Sequence, residues 1–158
     1  MWPTANDFRI EKSRLPVVLN TTDGRRLSGD LFVQLSSRNT LGYESAPDIL
    51  NAPEAFFPLA TMDGHTLLVA KSHVRELLVA REDVEEPEWE FGTSARVEIQ
   101  MVDGPLHTGT ILIQLESARS RVLDFLNRLT ERFLTVYTDD GVVLVSRARI
   151  AHVSQLDA

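Results

Sequence analysis

The sequence predicts a mostly β (α+β) protein that contains two tandem small β-barrel repeats, each with one helix, packed as a pseudo-twofold pair. Two observations support this fold class: a duplication within the chain, and the same order of elements in both copies. The length of 158 residues fits one ordinary domain or two very small ones. A unit of about 65–80 residues buries only about 60% of its chain surface, so we expect the two copies to pack together.

The duplication is visible as two aligned blocks. Residues Val17–Ser37 align with Val97–Ser117 at an offset of 80, with seven identical pairs that include an Asp-Gly dipeptide and a later glycine. The segment Asp48–Leu59, DILNAPEAFFPL, recurs as Asp124–Thr135, DFLNRLTERFLT, at an offset of 76. The blocks keep the same order, which indicates repeats. We predict a first repeat at 14–80, an acidic connector at 81–95 and a second repeat at 96–156.

Each copy begins with a predicted hairpin. Asp23-Gly24 and its counterpart separate two apolar runs, and this pattern favours a type I′ turn with positive φ at both central residues. Gly29 and Gly109 interrupt the strand that follows, which predicts a bulge or the bend of a small barrel. A late Asp-Gly turn and one or two strands close each copy.

A helical segment lies in the middle of each copy. Ser45 to Asp48 fits a capping box, and prolines restrict the first helix to about Pro47–Ala52. In the second copy, apolar residues from Val122 to Phe133 have helical spacing. We interpret the shared residues as a structural motif that closes each barrel, with catalysis by Asp48 and Asn51 as the alternative. The motif consists of Asp48, Asn51, Phe57, Asp124, Asn127 and Phe133.

The stretch VVLNTTDGRRLSGDL resembles the first half of an Sm domain, and the strand order resembles Sm-like and other SH3-like small barrels. Sm proteins hold RNA bases with an Asp/Asn pair after the second strand and an Arg-Gly pair in the late hairpin. Here these regions read SSRNTLGYES and LLVAKSHV in the first copy, and ESARSRV and LVSRARI in the second. The resemblance therefore implies the barrel fold without the RNA-binding residues.

The pattern DxLN…FxxL, followed by a hairpin, also looks like that of an uncharacterised group of bacterial proteins. This resemblance implies a bacterial protein and supplies no catalytic residues. The N-terminus lacks the features of a secretory signal, and no apolar run approaches the ~20 residues of a membrane span, so we expect a cytoplasmic protein.

The charge is unevenly distributed. Of the net charge of −7, the connector contributes −5, from one arginine and six acidic residues. The chain therefore lacks the broad basic surface of a typical nucleic-acid binder. It has no cysteine, no His-x-x-x-His pair, no Gly-x-Ser-x-Gly elbow and no phosphate-binding glycine loop. We therefore predict no enzyme activity, no metal site and no cofactor.

Two sets of side chains are candidate binding residues. The first is an arginine set that could hold an anion or phosphate, with an ordinary ion-paired surface as the alternative; it comprises Arg25, Arg26, Arg121, Arg128 and Arg132. The second is Trp89 and Phe91 in the connector, which could bind a partner or pack between the copies. We predict a non-enzymatic protein-interaction or scaffolding module that could associate with itself. The alternative is a binder of RNA, a nucleotide or another ligand, through the arginine set or a cleft between the repeats.

Overall fold

A computed structural model describes residues 2–3, 14–89, 93–113 and 122–156, and it shows a ten-stranded antiparallel sheet with two short helices. Short 3₁₀ turns that lie wholly within the described residues occur at Lys71–His73, Arg81–Asp83 and Arg147–Arg149. The mostly β class is confirmed. In chain order the elements are β1 (Arg14–Thr21), β2 (Arg26–Phe32), α1 (Ala46–Asn51), β3 (Phe56–Thr61), β4 (Thr66–Ala70), β5 (Val74–Val79), β6 (Thr93–Met101), β7 (Leu106–Ile113), α2 (Val122–Arg128), β8 (Phe133–Tyr137), β9 (Val142–Ser146) and β10 (Ile150–Gln155).

The strand order divides the sheet into two halves. The order is β10-β6-β7-β8-β9-β5-β1-β2-β3-β4, so β6–β10 form one half and β1–β5 the other. If the strands are numbered one to five along the chain within each half, both halves have the same spatial order: fifth, first, second, third and fourth. The halves are joined where β5 pairs with β9, the fifth strand of one half with the fourth strand of the other. A twofold pair would bring equivalent strands together, so the expected pseudo-twofold packing is replaced by a head-to-tail joint.

The pairing of the first strand with the fifth has the same register in the two halves, including one irregularity. The β1–β5 pairing shifts between Asn20 and Thr21, and the β6–β10 pairing shifts between Ile150 and His152. These shifts fall at matching positions, because Asn20 pairs with Glu76 as Gln100 pairs with His152. Offsets of 80 and 76 therefore relate the backbones of the first and fifth strands.

The Asp23-Gly24 hairpin forms, but not with the expected turn. Gly24 has a φ of +85°, its amide donates to the Thr21 carbonyl, and Asp23 does not have a positive φ. The Thr21 amide donates to the Arg25 carbonyl, so three residues form the loop. This is the three-residue hairpin in which a type I turn is followed by a left-handed glycine, rather than a type I′ turn.

Gly29 and Gly109 do not mark bulges, because the register is continuous through both. They are instead points of close approach to the third strand of each half. A Cβ on Gly109 would lie 2.6 Å from the Tyr137 carbonyl oxygen, and one on Gly29 would meet the carbonyl of Ala60. Only glycine fits where a neighbouring backbone comes this close.

The first helix begins as expected. Ser45 caps α1, its hydroxyl accepts from the Asp48 amide, and the Asp48 carboxylate accepts from the Ser45 amide, so the capping box is confirmed. The second helix ends earlier than expected, at Arg128, and Phe133 begins strand β8. Neither helix in the described part of the chain is long and apolar enough to cross a membrane.

The two hydrophobic cores share the strands at the joint. On β9, Val142 and Leu144 pack into the core of the first half, whereas Val143 and Val145 pack into that of the second. On β5, Leu77 belongs to the first core and Leu78 to the second. Alternate side chains of a strand point to opposite faces, so the joint strands are buried on both. Each half therefore completes the core of the other.

We expect Gly109→Ala to destabilise the protein by about 1–3 kcal/mol, because the added methyl group would press on the backbone of β8. The free energy of unfolding from urea titration measures the effect. Ser28→Ala, on an exposed strand position, is the control and should stay within about 0.5 kcal/mol of wild type. An unchanged urea midpoint for Gly109→Ala would contradict the close approach.

Candidate functional site

A buried charged cluster fastens the joint between the halves. Glu76 on β5 is fully buried, and its carboxylate accepts from Asn20 Nδ2 at 2.7 Å and from Arg75 Nε at 3.0 Å. Nε2 of His107, on β7 of the other half, lies 3.3 Å from Glu76 Oε1. Arg75 Nη1 donates to the Asp103 carbonyl at 2.9 Å. The cluster thus links β1 and β5 to the β6–β7 hairpin.

The cluster keeps Glu76 in its charged form and leaves no room for a substrate. Burial raises the pKa of Glu76, but hydrogen bonds from His107, Arg75 and Asn20 outweigh it and hold the pKa below its ordinary value of 4.5. The Arg75 side chain fills the space beside Gly104, where an added Cβ would lie 2.7 Å from Arg75 Nε. Because Glu76 is closed off from solvent and already paired, the role of the cluster is structural: it stabilises the joint between the halves.

A second set of hydrogen bonds across the joint involves Asn51, one residue of the motif found in both copies. Asn51, at the end of α1, accepts from the Phe133 amide at 2.9 Å and donates to the Phe133 carbonyl at 3.3 Å. These bonds cross from the first half to the start of β8 in the second. The motif was expected to close each copy on itself, whereas Asn51 connects the copies. Its counterpart Asn127 is exposed, and the hydrogen bonds between described residues include none from its side chain.

The two edge strands are the counterparts of the two strands at the joint. β4 corresponds to β9 and β10 to β5, and neither has a partner on its outer side within the described part of the sheet. β4 is apolar, and Leu68 is 72% exposed. β10 carries no lysine, proline or acidic residue. Edges of this kind lack the usual protection against pairing with another strand.

A cavity of about 490 Å³ lies between the halves. The 3₁₀ turns after β4 and β9, together with the starts of β3 and β8, form its walls. Its four charged lining residues are all basic: Lys71, Arg132, Arg147 and Arg149. Phe56 and Phe133 also line it. The cavity is thus a cationic cleft with aromatic walls.

The arginine set from the sequence is dispersed. Arg132 lines the cavity, whereas Arg25 and Arg26 lie at the β1–β2 hairpin, where Arg25 Nε is 3.3 Å from the Asp23 carboxylate. Arg128 is exposed at the end of α2 and does not line the cavity. Arg121 lies outside the described residues. The set as a whole therefore does not form one site.

Trp89 packs within the chain. Its ring meets the Tyr137 ring edge-on with centroids 5.1 Å apart, and its Nε1 donates to Glu86 at 3.2 Å. Glu86 also accepts from Arg81, whose guanidinium lies 5.6 Å from the Tyr137 ring centre. The connector is therefore fixed against β8 at this point. Phe91 lies outside the described residues.

The other motif residues match only in part between the two halves. Asp48 and Asp124 both lie in the first turn of their helices, and Asp48 also accepts from the amide of the N-cap Ser45. Phe57 is buried opposite Val69, but Phe133 lies opposite Ser146. Phe56, opposite Ala70, is therefore the true counterpart of Phe133. The two phenylalanines that align in sequence are one residue out of register.

Sequence reasoning missed the basic residues of the two 3₁₀ turns. Lys71 and Arg147 align at the offset of 76, and each donates to a carbonyl at the end of its own helical segment, Ala52 and Leu129 respectively. The positive charge shared by these two aligned positions could have identified them from the sequence. Glu76 gave no such signal, because its counterpart is His152.

No family model matches the chain, and no curated protein and no solved structure gives a significant match. Among the described residues, no group of three or more histidines and acids is placed to hold a metal ion.

We expect Glu76→Gln to lower the free energy of unfolding by about 3 kcal/mol at pH 7, because it leaves the Arg75 charge buried without its counter-ion. The folded-state pKa of Glu76 is depressed. Its contribution is therefore complete above its unfolded pKa and is lost as pH falls through the folded value. The gap between wild type and variant should accordingly narrow below about pH 4. Urea titrations at several pH values test this, with exposed Glu82→Gln as the control; a constant gap would contradict it.

We expect Asn51→Ala to cost about 1–2 kcal/mol, because two hydrogen bonds across the joint are lost. Asn127→Ala removes the same side chain from the equivalent position and should stay within about 0.5 kcal/mol when measured on the monomer. Thermal unfolding of both variants at low protein concentration provides the comparison. Equal losses would show that Asn51 has no special role at the joint.

Proposed function

We propose that this protein is a non-enzymatic interaction module that self-associates head to tail, β10 of one copy pairing with β4 of the next. One observation carries the proposal. The chain already contains a joint between a fifth and a fourth strand, β5 with β9, and it leaves the second fifth strand and the first fourth strand at opposite edges of the sheet. Contacts between non-equivalent surfaces produce rings or filaments.

The register of the β5–β9 pairing predicts the register of the proposed β10–β4 pairing between copies. β5 and β9 pair Leu77 with Leu144 and Leu78 with Val143. Shifting each residue by the offset of 76 pairs Val153 of one copy with Leu68 of the next. The same shift pairs Ser154 with Leu67. Leu67 and Leu68 are exposed in one chain, and the pairing would cover them.

Asn127 adds a second contact to the proposed joint. Asn51 binds both backbone groups of Phe133, and the counterpart of Phe133 is Phe56. Asn127 of one copy is therefore expected to bind the backbone of Phe56 in the next. Phe56 is 59% exposed, whereas Phe133 is buried against the joint. An exposed aromatic beside an unpaired edge is typical of a surface that a partner covers.

We also propose that each half is a small barrel of the Sm-like or SH3-like kind. The strand order shared by the two halves and the close approaches at Gly29 and Gly109 support this interpretation. The halves remain hydrogen-bonded in one sheet, so the proposed repeat is joined edge to edge. The same geometry would extend the sheet from copy to copy.

We expect the mass of the wild-type protein to rise with concentration in light scattering or sedimentation equilibrium. Leu68→Lys should raise the dissociation constant at least about tenfold, because a lysine on an edge strand opposes pairing. Leu35→Lys changes an equally apolar residue that is 85% exposed and lies outside both edge strands, and it should leave association unchanged. A wild type that stays monomeric at millimolar concentration would contradict the proposal.

Cysteine cross-linking tests the direction of pairing, because the chain has no native cysteine. We expect Leu68→Cys mixed with Val153→Cys to give disulfide-linked pairs, since facing residues on antiparallel strands lie about 4.5–5.5 Å apart. Each variant alone should give none. Efficient cross-linking of Leu68→Cys with itself would indicate a twofold β4–β4 contact and would overturn the head-to-tail arrangement.

A further inference from the structure

We propose that the cavity between the two halves binds the phosphate group of a phosphate ester. The site lies within one chain, although Phe56 in its wall also belongs to the contact proposed for self-association. Its walls carry four basic side chains and no acidic one. They come from both halves, since Lys71 belongs to the turn after β4, Arg132 directly precedes β8, and Arg147 and Arg149 belong to the turn after β9. Dianionic phosphate suits such a group of donors.

Lys71 is the strongest part of the argument. Its residue is only 2% exposed, and its ammonium group donates to the Ala52 carbonyl at 2.8 Å. An ammonium has three N–H donors, and a buried charge is costly unless an opposite charge compensates it. Burial lowers the pKa of Lys71, Arg132 lowers it further, and Glu54 offsets this only in part. A bound anion would supply the missing charge.

The arginines of the cavity are not neutralised by protein carboxylates. No ion pair between described residues involves Arg132, Arg147 or Arg149. Arg147 donates one hydrogen bond to the Leu129 carbonyl, whereas the hydrogen bonds between described residues include none from the side chains of Arg132 and Arg149, which we therefore take as the main ligand donors. By contrast, Arg25, Arg75 and Arg81, which lie outside the cavity, have carboxylate partners. The cavity thus brings together several cations without an acidic residue in its lining.

The size and walls of the cavity favour an ester over a free ion. A volume of about 490 Å³ exceeds what one phosphate needs, and it falls within the range of small-molecule sites. Phe56 lines the same cavity and is 59% exposed, so it offers an aromatic face beside the cations. A flat organic group attached to the phosphate could pack there. Free nucleotides and single-stranded nucleic acid both carry this chemistry.

Calorimetric titration of the full chain at low salt tests the proposal. The probes are inorganic phosphate, adenosine monophosphate and a short single-stranded oligonucleotide. We expect the nucleotide to bind at least tenfold more tightly than phosphate. The double variant Arg132→Gln/Arg149→Gln should lose at least tenfold in nucleotide affinity. Both arginines are at least partly exposed, so the fold should survive, which thermal unfolding checks.

Arg25→Gln is the matched control, since it removes an arginine outside the cavity and should leave affinity unchanged. Phe56→Ala should reduce nucleotide binding toward that of phosphate. Tighter binding of the oligonucleotide than of the mononucleotide would assign the phosphate to nucleic acid, and the reverse to a free nucleotide. No binding of any probe, or an equal loss in Arg25→Gln, would overturn the proposal. Sedimentation of the same samples reports self-association separately.

Discussion

The pairing of β5 with β9 is the interaction on which the rest of the structure depends. Four backbone residue pairs join the halves there, from Glu76 opposite Val145 to Val79 opposite Val142. Without this pairing each half would have an unpaired edge along a strand that is buried on both faces. Buried backbone groups must be hydrogen-bonded, so separation of the halves would be costly. Glu76 and Asn51 reinforce the same joint from its two sides.

The joint also explains why the halves should unfold together. Side chains from β5 and β9 alternate between the two cores, so the loss of either core would expose residues of the other. The buried carboxylate of Glu76 takes its hydrogen bonds from both halves. A single cooperative transition is the physical consequence of this shared packing. We therefore expect the two halves to unfold as one unit, although the sequence analysis divides the chain into two repeats.

Much of the β architecture could be predicted from local signals. The hairpins, the capping box at Ser45 and the importance of Gly29 and Gly109 all follow from short-range rules that depend on neighbouring residues. The joint could not be predicted in this way, because strand alternation does not specify which edges meet. Phe133 was assigned to a helix because its spacing from Val122 is helical, yet pairing with Ser146 places it in a strand. Tertiary pairing here overrides a helical pattern.

The candidate site could likewise be predicted only in part from the sequence. Arg132 was identified from its charge, but Lys71 was not, because a lone lysine in a sequence gives no sign that it is buried. The alignment of Phe57 with Phe133 failed for a geometric reason. The loop between β3 and β4 has three residues, whereas the one between β8 and β9 has two, as the Thr61–His65 and Thr138–Gly141 hydrogen bonds show. A one-residue difference places the other phenylalanine, Phe56, at the equivalent position.

The fifth strands of the two halves differ where charge matters most. Arg75 and Glu76 on β5 are replaced by Ala151 and His152 on β10. The ion pair that fastens the inner joint therefore has no equivalent at the outer edge. Any contact made there would lack a buried salt bridge and would not be covalently tethered by the chain. Under the proposed self-association, the contact between copies would therefore be weaker than the joint inside the chain, so that copies could be added or removed without unfolding either half.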